Sequence, residues 1–285
     1  MQFPELSYAN ERQKPLKRWF IRTVETLSGR RRYARLYGIW RQDIVPSGER
    51  IFGRMLDLID VRFAAQGAWP PNAPLDGPLV MVANHPFGIG DGIAILSLAE
   101  QLGRPFRVMI NAELLKISEM APYSLPVDFD ETKEALKNNL AVRHEALRLL
   151  KDGTVIVVFP AGGVATAPGG FGKAEDLPWK LFPARLVQDA KATVLPVYFA
   201  GQNGRVFHLA SRFSLTFRIS LLIREFAKLS GREIGACVGE PLAWDELAAH
   251  SGRKELTARL HKAVFDLAPP SPARRSLRRR RALPA

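Results

Sequence analysis

The chain has 285 residues, with 47% hydrophobic and 24% charged side chains. That composition supports a sizeable core in one large domain or two small ones; it excludes a disordered chain, a collagen and a disulfide scaffold. The formal net charge is +13, and the excess sits at the ends: 11 basic and 5 acidic side chains in residues 1–50, six Arg and no acid in 269–285, and 24 basic against 23 acidic in between.

Basic ends suit an anionic partner: a membrane surface, a nucleic acid or an acidic carrier protein. Cys237 is the sole cysteine, which excludes an intrachain disulfide and fits a reducing compartment. The N-terminus lacks the apolar segment of a secretory signal. No run approaches the ~18 apolar residues of a spanning helix. The expected location is cytoplasmic, with peripheral contact at an inner membrane surface.

In chain order, Trp19, Phe20, Ile21, Val24 and Leu27 give an amphipathic helix edged by Lys14, Lys17, Arg18 and Arg22. The segment Ser28–Gly29–Arg30–Arg31–Arg32 breaks it. Ile51, Met55, Leu58 and Ile59 predict a second helix over about 46–66, and the Pro pair 70–71 marks a loop. From Pro78 the texture alternates. Apolar runs at 79–83, 106–110, 154–159, 193–199 and 233–238 read as strands; helical patterns fall near 91–102, 131–151, 178–190, 214–229 and 244–267.

Continuous apolar strands imply a sheet covered on both faces. The expected fold is a single α/β/α domain with a mixed, mostly parallel sheet, preceded by basic N-terminal helices. The expected organisation is a helical region at 1–70, the sheet domain at 71–245, a C-terminal helix at 246–268 and a disordered Arg-rich tail at 269–285.

The strand at 79–83 runs directly into Asn84–His85–Pro86–Phe87–Gly88–Ile89–Gly90–Asp91–Gly92. A histidine at the carboxyl end of a strand stands where α/β sheets place ligands. Asp91, at the start of the next helix, can fold back to hold Nδ1–H of His85 and leave Nε2 as a general base. It can equally be a plain helix cap. From the residues alone the two readings stand level. Gly88 and Gly90 suggest a dinucleotide fingerprint, but its third glycine falls on Ile93.

The stretch NHPFGIGDG resembles the first signature block of the PlsC-like glycerolipid acyltransferase family, with one residue more between His85 and Asp91 than is usual, as in the hemolysin-like and ornithine-lipid acyltransferase branch. Residues 108–129, 157–166 and 193–211 resemble the following three blocks in order. The resemblance covers about 75–245. It implies transfer of a fatty acyl group from acyl-CoA or acyl-carrier protein to a lysolipid hydroxyl, with no cofactor and no metal.

In that reading His85 and Asp91 are catalytic. Asn84, Phe87, Gly88, Arg107, Phe159, Pro160, Gly162, Gly163 and Arg205 bind substrate, and Lys116 is a further basic candidate. Gly162 and Gly163 can form an anion nest or oxyanion hole, or an ordinary turn. The family's acceptor-binding glutamate falls on Ala161, and two of its arginines fall near Val164 and on Phe129. That departure weakens lysophosphatidic acid as acceptor and favours a different head group, such as a lyso-ornithine lipid. It also motivates a second reading, a catalytically idle lipid- or acyl-carrier-binding protein of the same fold. Nucleic acid is not an expected partner, since no recognition module accompanies the tail. The segment 209–229 is a candidate for membrane contact or for packing on the sheet.

Overall fold

The computed structural model describes all residues except Met1, Gln2, 10–12, 74, 128–131, 214–217, 219, 251 and 271–285. The tail expected to be disordered lies outside the described residues from Ser271 onward.

Seven strands form one sheet: β1 Val61–Gly67, β2 Leu79–Ala83, β3 Phe106–Asn111, β4 Ser124–Val127, β5 Val155–Val158, β6 Thr193–Phe199 and β7 Arg232–Val238. Their order is β1-β7-β6-β2-β5-β3-β4. Every pairing is parallel except β6 with β7. The sheet is therefore mixed and mostly parallel, as the apolar runs imply.

Alternation along the central strands divides the core. Leu79, Met81 and Ala83 face a cluster with α3 (Ile51–Leu58) and α4 (Ile89–Gln101). Val80 and Val82 face a second cluster with α5 (Lys133–Lys151), α6 (Phe182–Ala190) and the C-terminal helix Arg253–Phe265. Both faces are covered, which explains why these strands read as unbroken apolar runs.

The helix expected over 46–66 is shorter than the pattern suggests. Helix α3 ends at Leu58, and Asp60 adopts a φ of 60°, which turns the chain out of the helix. Residues 61–67 then form β1 beside β7, so the sheet begins before residue 71. At its other end α3 is capped by Glu100, whose carboxylate accepts the N–H groups of Phe52 and Gly53 at 3.0 and 3.1 Å.

Around the first break, Gly29 supplies a φ of 84° between α1 (Pro15–Leu27) and α2 (Arg30–Ile39), so the triple Arg run opens a helix rather than prolonging a loop. The helix expected over 244–267 is two pieces, Trp244–Leu247 and Arg253–Phe265. After β6, residues 200–204 lead into helix α7, Arg205–Phe213. In the 214–229 segment, helix α8 spans Leu222–Ala227; 214–217 and Ile219 lie outside the described residues.

Candidate active site

Strands β2, β5 and β6 are parallel neighbours, so their carboxyl ends open on one edge of the sheet. Three loops meet there: 84–88, 159–165 and 200–204.

His85 leaves β2 two residues past its end. Its side chain is 17% exposed, and Asp91 is fully buried in the first turn of α4. Asp91 Oδ1 lies 3.0 Å from His85 Nδ1. The N–H direction is not aligned for a linear bond, and neither atom has another hydrogen-bond partner. Such contacts in unliganded sites commonly tighten when substrate binds. The second oxygen, Oδ2, accepts the Phe87 N–H at 2.7 Å, which fixes the carboxylate to the loop.

The local backbone permits this return. Gly88 has a φ of 87°, and a Cβ there would come within 3.0 Å of Val164 and 3.1 Å of Leu222. Gly201 has a φ of 121°, and its missing Cβ leaves room for the Phe87 ring, which would otherwise stand 2.5 Å away. Asn203 supports the same loop by donating Nδ2–H to the Phe87 carbonyl at 3.4 Å.

The facing wall comes from the end of β5. The Phe159 ring lies against His85, with centroids 4.1 Å apart. Gly162, at a φ of 67°, closes a turn by donating its N–H to the Phe159 carbonyl at 3.0 Å. Pro160 is buried, and its carbonyl accepts the Lys180 N–H at 2.9 Å. The Gly163 and Val164 N–H groups donate to no group among the described residues. The Ala165 N–H then donates to the His85 carbonyl at 2.7 Å. The two loops are thus stitched face to face.

A second carboxylate supports the histidine from outside the motif. Asp176 Oδ1 accepts the His85 backbone N–H at 3.2 Å, and its Oδ2 accepts the Trp179 indole N–H at 3.0 Å. Burial pushes the Asp176 carboxyl above the usual carboxylate range, against those two hydrogen bonds. No local signal around Asp176 announces this role.

Of the residues singled out in the sequence, His85, Phe87, Gly88, Asp91, Phe159, Pro160, Gly162 and Gly163 converge on this edge. Arg205 is exposed at the start of α7, on the rim. Asn84 does something else: its Nδ2 donates to the Phe199 carbonyl at 3.0 Å and its Oδ1 accepts the Phe199 N–H at 2.7 Å. It is a buried clamp between β2 and β6. Arg107 is not brought to the site. It sits near the amino end of β3, paired in register with Ile156, and donates to the adjacent Phe106 carbonyl.

Residues 56–268 match the model of a family described as Acyltransferase. The chain belongs to this acyltransferase family. The expectation of a catalytically idle binding protein is set aside by that membership. A lyso-glycine lipid O-acyltransferase of Bacteroides thetaiotaomicron is 26% identical over 200 residues, covering 66% of this chain and 69% of the relative. The protein of the same description from Phocaeicola vulgatus is 24% identical over 196 residues, covering 66% and 67%. The crystal structure of the 1-acyl-sn-glycerophosphate (LPA) acyltransferase PlsC from Thermotoga maritima matches with a TM-score of 0.52 and 21% identity, over 88% of this chain and 91% of that one. The acyltransferase thus has the PlsC fold, and its candidate site lies at the carboxyl ends of β2, β5 and β6.

Proposed function

We propose that the acyltransferase moves a fatty acyl group from an acyl-CoA or acyl-carrier-protein thioester to the hydroxyl of a lysolipid. The observation that carries this reading is the buried Asp91 carboxylate 3.0 Å from Nδ1 of the partly exposed His85. A carboxylate at Nδ1 fixes the tautomer that leaves Nε2 to accept a proton.

In this scheme Nε2 takes the acceptor O–H proton as the oxygen attacks the thioester carbonyl. A tetrahedral oxyanion forms, and the Gly163 and Val164 N–H groups are the candidate donors to it. The C–S bond then breaks, and the thiolate leaves with the proton held by His85. An ester and a free thiol are the products. Asp91 stabilises the imidazolium between the two transfers. No covalent acyl-enzyme and no added cofactor enter the scheme.

Two observations favour an acceptor other than lysophosphatidic acid. Ala161 is a buried apolar residue where the resemblance expects a glutamate, and buried Val164 stands near where it expects an arginine. The two similar curated proteins are described as lyso-glycine lipid O-acyltransferases. A lyso-aminolipid acceptor fits both better.

No helix of the described residues is long and apolar enough to cross a membrane, and in this reading the enzyme meets its lipid at a surface. Helix α1 suits that surface. Leu16, Trp19 and Leu27 are 78%, 64% and 83% exposed, with Lys14, Lys17 and Arg22 exposed among them. On its inner side Val24 packs against the cluster of Val164, Phe207, Ala210 and Leu221, so α1 adjoins the wall that carries Val164. Val206, Leu209 and Phe213 of α7 are also exposed. An apolar stripe edged with bases binds anionic leaflets in the interface plane. Peripheral attachment at the cytoplasmic face of an inner membrane follows from this reading.

The test is turnover by purified protein of palmitoyl-CoA and palmitoyl-acyl-carrier protein, each offered with lyso-ornithine lipid, lyso-glycine lipid and lysophosphatidic acid, followed by mass spectrometry. Formation of a diacylated product from a lyso-aminolipid supports the reading. Thioester consumption with none of these acceptors acylated contradicts it.

A further inference from the structure

Arg218 has an unusual environment for an arginine. It is half-buried, and no carboxylate of the described residues lies within 4.0 Å of it. Arg104, also half-buried without a carboxylate, spends all three guanidinium nitrogens on the Leu75, Gly77 and Gly153 carbonyls, whereas Arg218 has one carbonyl partner. Desolvation pushes the Arg218 pKa down with no opposing charge. Withdrawing a cation from water without a counter-ion is unfavourable, so the arrangement asks for an anion.

Its position says where that anion would sit. Arg218 Nη2 donates to the Val164 carbonyl at 2.6 Å. The guanidinium carbon lies 5.8 Å from the Phe207 ring centroid, which holds the group from one side. A Cβ on Gly163 would come within 3.6 Å of the same Nη2, so the absence of a side chain there leaves the guanidinium open toward the turn. That turn belongs to the segment that contacts His85 twice, through Phe159 and Ala165. A guanidinium bound at a single nitrogen keeps donors for a planar anion.

We propose that Arg218 recognises the anionic head group of the lysolipid acceptor, a carboxylate or a phosphate, and so orients its hydroxyl toward His85. This rests on the lysolipid reading above and adds a specificity-determining residue to it.

The test compares wild type with Arg218→Gln and Arg218→Lys on three acceptors: an N-(3-hydroxyacyl)glycine, its methyl ester, and lysophosphatidic acid. The readout is the ratio of kcat/KM for each anionic acceptor to that for the neutral ester. Arg218→Gln is expected to lower this ratio by roughly tenfold to a hundredfold, mostly through KM, for the anion that the site prefers. A loss confined to the carboxylate or to the phosphate identifies the head group. Arg218→Lys keeps the charge without the fork, so an intermediate loss is expected, and it serves if the Gln variant does not fold. An equal loss on the ester and on both anions, or no change in either ratio, overturns the proposal.

Direct binding of the anionic lipids to His85→Ala and to His85→Ala/Arg218→Gln, by calorimetry, needs no turnover. Weaker binding in the double variant supports the role of Arg218 even if no acyl transfer to these lipids occurs; equal binding overturns it. Failure of the lysolipid reading and failure of this inference are thereby separated.

Discussion

Asp91 is fully buried and brings Oδ1 to 3.0 Å from Nδ1 of His85, while its other oxygen holds the Phe87 N–H. One carboxylate thus stands beside the imidazole and holds the loop that carries it. The two tasks separate by substitution. Asp91→Asn removes the charge facing the imidazole at nearly constant volume. We expect kcat to fall roughly 10²–10⁴-fold with a smaller change in KM. Asp91→Ala leaves the Phe87 N–H unsatisfied as well, and we expect a further loss of about 1–3 kcal/mol of stability. Steady-state kinetics and thermal denaturation of both variants check the pair.

Glycines around the loop should respond in opposite directions. A Cβ on Gly201 would stand 2.5 Å from the Phe87 ring, on a backbone with φ of 121°. Gly201→Ala is expected to destabilise the fold by more than about 1 kcal/mol and to disturb the His85 loop through Phe87. A Cβ on Gly92, inside α4, meets nothing within 4 Å. Gly92→Ala is expected to stabilise by about 0.5–1 kcal/mol through the lost freedom of the unfolded chain. Chemical denaturation of the two variants would show opposite shifts in midpoint.

The site was legible where it is local in sequence. His85 and Asp91 lie in one short stretch after a strand, and the Gly162–Gly163 turn follows another. The central strands were legible because helices cover both faces, so Leu79–Ala83 and Thr193–Phe199 carry almost no polar residue. The edge strands were not. Strand β1 is mostly half-buried or exposed and includes Arg62 and Gln66, so its pattern merges with the helix before it. Asp176 lies 91 residues from the N–H it accepts, and Arg218 lies 54 residues from the carbonyl it binds. Only tertiary folding brings Asp176 to His85 and Arg218 to the Val164 carbonyl. Asn84 failed in a different way: its place in the motif suggested substrate, yet Phe199 occupies both ends of its amide.

That clamp gives a stability prediction. Asn84→Ala leaves the buried Phe199 N–H and carbonyl without their partner. We expect a loss of roughly 2–4 kcal/mol, from two unsatisfied groups at about 1–3 kcal/mol each with partial relaxation. A midpoint within experimental error of wild type in urea denaturation would contradict it.

Stability should also depend on pH through His208. Its side chain is buried, Nδ1 accepts the Ala167 N–H at 3.3 Å, and burial holds its pKa below the usual 6.5. The unfolded chain therefore binds a proton at a pH where the folded one does not. The contribution of His208 is present above about pH 6.5 and is lost as the pH falls below that value toward the lowered folded pKa. Melting curves between pH 8 and pH 5 should show a decline that is smaller in His208→Gln. An identical decline in the variant would contradict this assignment.

Membrane attachment through α1 is testable without turnover. Trp19→Glu combined with Leu16→Glu places two acids on the exposed apolar stripe. Co-sedimentation with vesicles containing phosphatidylglycerol is expected to weaken at least about tenfold, and to weaken for wild type as salt rises. Binding unaffected by the double substitution would place the contact elsewhere.

The central claim is that His85 accepts the proton of the attacking hydroxyl. The most direct measurement is the rate of acyl transfer by His85→Ala, with circular dichroism and melting temperature showing that the fold is intact. A folded variant whose kcat has fallen by at least about 10²-fold is the expected result. A folded variant that transfers acyl groups at the wild-type rate would contradict it.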